Sequence, residues 1–404
     1  MPVMDLGGQG IPFGLRGPVL VDDLGMPRYW AFVLSSLEFD GLSPSTVDSR
    51  LSGVERLYAF LESRRPSVDL DSLISGQHFG RLSDALHGFF TMLRNESSRT
   101  GRGSPKTWRS AVQFTAELAR RLAHSTSAVD RAEARELGLT FERFTHRLMV
   151  ARRRRTQRPR GLPAGVIEDL YELTDPESKR NPFRTEALRH RNFVIVLLLL
   201  HQGLRRGEIL NLAVDSVRDE FDLSARRQRF WMDVCANRYE RADPRGAPPR
   251  LKNDFAVRQI PISEPLAVAV DNYVQNYRGR RRATYLFYSQ NREALAVRSL
   301  GKMFQIITQH LSDGAKRDLW RRRRPIRVTP HDLRHTCAAV RLHQLVGDDD
   351  ARLPLAIQQL QPFFGWSRDS EMPLLYARTY FEHRLASVWR ANFDARVEFL
   401  RSVR

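Results

Sequence analysis

Apolar positions recur at helical spacing through most of the chain and alternate at strand spacing in one region only. Four helical runs stand in the first third, at residues 29–39, 47–61, 79–93 and 104–122. In the second of these Ser43 can cap with Pro44 at the first helical position. Leu51, Val54, Leu57, Tyr58 and Leu61 then fall on one face, the stripe that a helix buries against its neighbours. The helical period returns at 163–173 and again at 190–200, where the run is too apolar to be anything but central. Between residues 228 and 262 the period shortens to two. Residues 229–234 and 256–262 read as strands joined by a long loop carrying Pro244, Gly246, Pro248 and Pro249, with a further short strand at 284–288. Helices follow at 297–311, at 355–364 and from Ser370 onward. A last helix at 384–400 carries Leu385, Val388, Trp389, Phe393 and Val397 on one face, for its own domain or a neighbour's. Residues 1–25, rich in Gly and Pro and without period, read as an extended arm or leader strand. The expected fold class is mainly α with a small antiparallel β-sheet in the second domain.

A chain of 404 residues exceeds one typical core, and 42% hydrophobic residues suffice to fold two. The expected organisation is an arm at 1–25, a helical domain at 26–150, a basic linker at 151–164 and a second domain at 165–404. Charge narrows the function. A formal net charge of +19 and a pI near 10.8 call for a polyanionic partner, nucleic acid or an anionic membrane surface. The sequence contains no long apolar span and no secretory signal, so membrane insertion is not expected. Cys235 and Cys337 make neither a disulfide framework nor a metal cluster, which suits a reducing cytoplasm. Only five of the 65 basic residues are lysines, so codon bias is a rival account of the charge, and a lysine at a chemically sensible position stands out.

The chain is organised around Val328-Thr329-Pro330-His331-Asp332-Leu333-Arg334-His335-Thr336. Thr329 suits an N-cap, Pro330 the first helical position, and Asp332 closes a capping box. Helical spacing sets His331 and Arg334 on one face, where imidazole and guanidinium can meet one phosphate-like anion. His331 and His335, four apart, invite a rival reading as zinc ligands, although Asp332 stands where a metalloprotease has its glutamate and Arg334 brings positive charge between them. Upstream, Gly203 can end the apolar helix and Glu208 can open another, leaving Arg205 on a tight turn that holds a guanidinium still. Lys252 lies where the long loop enters the second strand. Candidate phosphate contacts are Lys106 and Arg109 at a helix start, Arg152, Arg153, Arg154 and Arg155 in the linker, and Arg321, Arg322, Arg323 and Arg324 before the organising stretch. Each of these also reads as a solvated charge.

Within residues 190–383 these motifs together resemble the tyrosine recombinase, or phage integrase, family. Gly203-Leu204-Arg205-Arg206-Gly207-Glu208-Ile209-Leu210 is similar to the family's first arginine box, which gives Arg205 the first catalytic arginine and Glu208 a supporting acidic position. Lys252 resembles the lysine of the catalytic β-hairpin. His331-Asp332-Leu333-Arg334-His335 matches the second box, with His335 in support. Gly365-Trp366-Ser367 resembles the box that usually reads Gly-His-Ser, Trp366 replacing the histidine. Tyr376 matches the nucleophile, one position further from this box than is usual and preceded by Met372-Pro373 rather than Thr-Thr; Tyr380 is its competitor.

The resemblance implies a two-domain clamp on double-stranded DNA that cuts and rejoins strands through a 3′-phosphotyrosine, without metal, ATP or another cofactor. It further implies a homo-oligomer on DNA, from dimer to tetramer, with room for accessory DNA-bending or recombinase partners, in the cytoplasm at the nucleoid. The chemistry agrees: two fixed arginines and an imidazole neutralise the charge that develops on a phosphodiester under attack. A phenol of pKa about 10 needs its proton taken, a role open to His331, and the leaving 5′-oxygen needs one supplied, by Lys252. A type IB topoisomerase, a catalytically silent DNA-binding protein on the same fold and a zinc hydrolase remain the alternatives.

Overall fold

The computed structural model describes residues 3–6, 17–39, 44–100, 105–125, 161–224, 226–239, 254–279, 285–322, 326–347, 349–373 and 375–376, with isolated positions 42, 139, 243, 245, 249 and 251. The chain divides into two units, Met1–Arg155 and Thr156–Arg404. Ser43, the 151–160 segment with Arg152, Arg153, Arg154 and Arg155, Lys252, Arg323, Arg324, Tyr380 and the helix expected at 384–400 lie outside the described residues.

In the first unit an antiparallel pair, β1 (Val3–Leu6) and β2 (Gly17–Leu20), accompanies α1 (Tyr29–Glu38), α2 (Pro44–Glu62), α3 (Leu70–Ser75), α4 (Phe79–Thr100) and α5 (Pro105–Ser125). The α2 stripe lines the core: Leu51, Val54, Leu57, Tyr58 and Leu61 are buried, each contributing roughly 2 kcal/mol. A buried phenol needs an acceptor, and the Tyr58 hydroxyl donates to Asp71 at 2.6 Å. The same carboxylate accepts from the backbone of Tyr29 and Trp30, so it satisfies the open N-terminus of α1 as well. Within the 1–25 stretch the strands pack: Leu20 belongs to this core, and Val19 and Val21 are buried. Four residues are too few for alternation to show through the surrounding Gly and Pro. On α5, Lys106 and Arg109 are exposed while Trp108 is buried.

The second unit runs α6 (Ala164–Thr174), α7 (Glu186–His201), α8 (Arg206–Asn211), β3 (Val217–Asp222), β4 (Arg227–Val234), β5 (Arg258–Ile262), α9 (Glu264–Asn272), α10 (Val297–His310), α11 (Asp313–Arg322), α12 (Pro330–Val346) and α13 (Leu353–Phe364). Beside its helices stands one antiparallel sheet of order β3-β4-β5, with Val217 opposite Met232 and Phe230 opposite Ile262. The unit is mainly helical with this small sheet. Helix α7 is apolar all round because it is covered all round: residues 194–200 are at most 1% exposed. Among the described residues no helix is long and apolar enough to cross a membrane.

Three elements of the second unit escape the periodicity. Strand β3 is an edge strand whose four central residues are exposed, so no apolar alternation marks it. Helix α11 is too polar to show a stripe, and α9 announces itself only by Ser263 and by Pro265 in its first turn. The short strand expected at 284–288 does not form a ladder; Tyr285 and Tyr288 make single bridges to Ala213 and Ala294.

At the end of α7 the buried His201 ring meets the Tyr171 hydroxyl through Nε2 at 2.8 Å. Burial, helped by the Arg341 charge, pushes this imidazole down to about 3. Its folded value lies below the unfolded one, so the unfolded chain binds a proton that the fold refuses. The stability of this unit is therefore full above the unfolded value of about 6.5. It is lost as pH falls toward 3, at up to about 1.4 kcal/mol per pH unit. Urea unfolding at pH 7 and pH 5 is expected to show this loss, and His201→Gln to flatten it; an equal loss in the variant would assign the acid sensitivity elsewhere.

Candidate active site

The site grows from the turn after α7. Gly203 has a φ of +59°, and a Cβ there would stand 2.3 Å from Phe364 Cε1 and 3.2 Å from Cys337 Sγ. Only glycine meets both demands. The reversal puts Arg205 at the cap of α8. Glu208, three residues on, accepts from the Arg205 backbone at 2.8 Å and from its Nη1 at 2.6 Å. Arg205 Nη2 donates to the carbonyl of Gly365 at 2.8 Å. Gly365 is itself left-handed, with φ +57°, and closes α13 where a Cβ would press on the Phe255 carbonyl at 2.7 Å. Backbone and carboxylate thus aim one guanidinium from two sides.

Glu208 is the centre of the cluster. Its two oxygens receive Arg258 Nη1 at 3.1 Å and Nη2 at 2.9 Å, and Arg334 Nη1 stands 3.8 Å away. Burial works to raise this carboxyl, but the Arg258 hydrogen bonds and the charges of Arg258, Arg334 and Arg205 prevail and hold it below the ordinary carboxylate value. Three guanidiniums around one carboxylate leave an excess of two positive charges. The side chains of Arg334 and Arg258 are 3% and 7% exposed, that of Arg205 19%, so the excess opens outward at Arg205. Arg334 donates to the carbonyls of Gly203 and Phe364 and lies over the rings of Phe364 and Trp366, at 5.0 and 5.9 Å. Burial and the nearby Arg205 push it down to about 9, and it stays protonated at pH 7.

The capping box forms as the sequence anticipates: the Thr329 backbone donates to Asp332 at 2.8 Å, and the Thr329 hydroxyl accepts from the Asp332 backbone at 3.4 Å. That fixes the start of α12 and with it the orientation of His331, Arg334 and His335. His331 is exposed and Arg334 turned into the core, so the two do not present a shared outer face. The His331 ring instead meets His335 edge-on at 4.1 Å. Buried His335 shares a hydrogen bond through Nδ1 with the Tyr376 hydroxyl, a contact the sequence had offered to His331. Tyr376 is 2% exposed and its ring stacks on Trp366 at 5.4 Å, which stacks on Phe364 at 4.8 Å. Trp366 acts here through its ring faces.

The fold therefore gathers Arg205, Glu208, Arg334, His335, Trp366 and Tyr376, with His331 at the rim. Lys252 itself lies outside the described residues; before it, Asn211 Nδ2 donates to the Pro249 carbonyl at 2.8 Å. Among the described residues no three His, Cys, Asp or Glu side chains converge as metal ligands around the His331 and His335 pair or elsewhere. Arg321 is exposed and makes a 3.8 Å ion pair with Asp318, a weak contact that leaves it open to other anions. Arg258 was missed, although a signal existed. It shares strand parity with the buried Ile260 and Ile262, and an arginine on a buried face requires a carboxylate.

Residues 162–383, more than half of the chain and containing every residue of this cluster, match the model of the phage integrase family. The tyrosine recombinase XerA of Pyrococcus furiosus is 27% identical over 295 residues, which cover 72% of this chain and 82% of the relative. Among the solved structures that resemble the chain are two recombinases. The crystal structure of XerA recombinase gives a TM-score of 0.36 at 17% identity, over 88% of this chain and 98% of that one. The XerH site-specific recombinase bound to difH substrate in a pre-cleavage complex gives 0.48 at 16% identity, over 89% and 84%. The chain belongs to the phage integrase family and is an enzyme of the tyrosine-type site-specific recombinase class.

Proposed function

We propose that this recombinase cuts and rejoins double-stranded DNA through a covalent 3′-phosphotyrosine at Tyr376. The observation that carries the reading is the buried cluster of three guanidiniums on one carboxylate, whose excess charge opens at Arg205 beside the aromatic stack that holds Tyr376. A scissile phosphate seated on Arg205 gains charge on its non-bridging oxygens during attack, and the field of Arg205 and Arg334 stabilises it. Tyr376 Oη bonds to phosphorus as the bond from phosphorus to O5′ breaks. The phenolic proton passes to a histidine, His335 being the one in contact, with His331 at its edge; the leaving O5′ takes a proton from Lys252. No metal or nucleotide enters this scheme.

Attack requires the buried Tyr376 hydroxyl to be uncovered to the phosphate while His335 stays within reach of its proton, so the arrangement described here is a resting one. Joining two duplex sites breaks four phosphodiesters, which calls for four copies of Tyr376 and hence assembly of this chain on DNA. Lys106, Arg109 and Arg321 supply exposed phosphate contacts, with Arg152, Arg153, Arg154, Arg155, Arg322, Arg323 and Arg324 as further candidates. Each such contact removed is expected to flatten the dependence of log affinity on log salt by about 0.9. Titration of the Lys106→Ala, Arg109→Ala double variant checks this, and an unchanged slope would return both residues to the solvated surface. The decisive experiment is capture on nicked DNA that loses its free strand after cleavage, followed by mapping of the DNA-linked residue. A regulator that binds DNA without cutting it would yield no adduct at all.

A further inference from the structure

Arg205 is aimed by two acceptors, the Glu208 carboxylate and the Gly365 carbonyl. Both depend on one further side chain. Arg258, near the start of β5, grips both oxygens of Glu208 through Nη1 and Nη2, at 3.1 and 2.9 Å. Its Nε donates to the carbonyl of Phe363 at 2.8 Å, two residues before Gly365. That carbonyl is among the last of α13, where helix geometry leaves oxygens without intrahelical donors. The remaining Nη1 contact, to Ala256, folds the guanidinium back on its own strand. Arg258 is 7% exposed, and its donors are directed at protein acceptors.

We infer that Arg258 is a positioning residue for Arg205: it holds in place both the carboxylate and the helix end that orient the Arg205 guanidinium toward the scissile phosphate. The inference rests on the reading of Arg205 as the arginine that meets the phosphate. A planar fork is needed because two carboxylate oxygens and a carbonyl must be reached at once, which a lysine cannot do. Without it, Glu208 is left to Arg205 and to the more distant Arg334, and the helix end keeps only the Arg334 contact at Phe364 beside that of Arg205 at Gly365. A displacement of about 1 Å at Arg205 suffices to cost on the order of a hundredfold in rate.

The test compares cleavage of two nicked DNA substrates, one with an ordinary scissile phosphodiester and one with a methylphosphonate there. Replacing a non-bridging oxygen by methyl removes the negative charge that Arg205 serves, so a defect in aiming Arg205 shrinks on the neutral substrate, whereas a damaged fold does not. Arg258→Gln is expected to slow phosphodiester cleavage on the order of a hundredfold at saturating DNA, with the DNA dissociation constant unchanged, and to recover most of that loss on methylphosphonate. Arg258→Lys, which keeps the charge and part of the contact, is expected to fall between the variant and the wild type, and it carries the same comparison if the glutamine variant fails to fold. Arg205→Ala serves as the reference. Recovery of Arg205→Ala without recovery of either Arg258 variant would overturn the positioning role alone. Failure of Arg205→Ala itself to recover would overturn the underlying reading of Arg205, and the inference with it.

Discussion

Tyr376→Phe is expected to bind DNA and yield no protein-linked product. The substitution removes one oxygen from a ring that otherwise keeps its stack on Trp366 at 5.4 Å and an interplanar angle of 14°. Losing the hydrogen bond to His335 costs about 1 kcal/mol, which a folded unit of this size tolerates. The covalent chemistry has no such tolerance, because phenylalanine offers phosphorus no nucleophile. Tyr380→Phe, one helical turn on in sequence, is expected to form the adduct still. Denaturing gels of protein trapped on nicked DNA, with peptide mapping, separate the outcomes. An adduct lost in Tyr380→Phe and kept in Tyr376→Phe would move the nucleophile, and an adduct kept in both would end the tyrosine mechanism. The burial of Tyr376 adds a consequence: a phosphate reaches its oxygen only after the ring has been uncovered.

Arg205→Ala is expected to abolish cleavage while leaving DNA affinity and stability nearly intact. Loss of an oriented donor that serves charge developing in the transition state costs about 3 kcal/mol or more, a factor on the order of a hundred and upward in rate. Arg334→Ala has a different profile even though both residues belong to the same cluster. Arg334 is 3% exposed and satisfies the Gly203 and Phe364 carbonyls, so its removal leaves buried acceptors unpaired and a hole beside Phe364. Unpaired buried groups cost about 1–3 kcal/mol each, so this variant is expected to unfold at lower denaturant as well as to lose cleavage. Single-turnover cleavage, DNA titration and urea unfolding of both variants make the comparison. Loss of affinity in Arg205→Ala as steep as the loss of cleavage would recast Arg205 as an anchor for DNA rather than a stabiliser of the transition state.

The local rules were legible without a fold. Thr329 to Asp332 closes a capping box, Gly203 takes the left-handed turn, and the apolar run at 194–200 lies wholly in the core, because each depends on neighbours within a few residues. Helical period found the stripe of α2, and resemblance to the family marked the first and second arginine boxes. Strand β3 stayed hidden since an edge strand that buries little shows little pattern, and the 284–288 stretch looked like a strand because apolar composition does not supply a pairing partner. The site depended on distance along the chain. Arg258 reaches Glu208 across 50 residues and Phe363 across 105, and the parity of β5 could place that arginine on a buried face without naming what it would meet. In the same way, helical spacing put His331 and Arg334 on one face of α12, but the packing of α13 against that helix turned Arg334 inward, left His331 outside and gave the Tyr376 hydroxyl to His335. The sequence by itself determined which chemistry-bearing residues sit at the starts and turns of helices. Only tertiary structure decided which of them are buried together, because burial of a charge is settled by long-range partners that satisfy it and not by its neighbours in the chain.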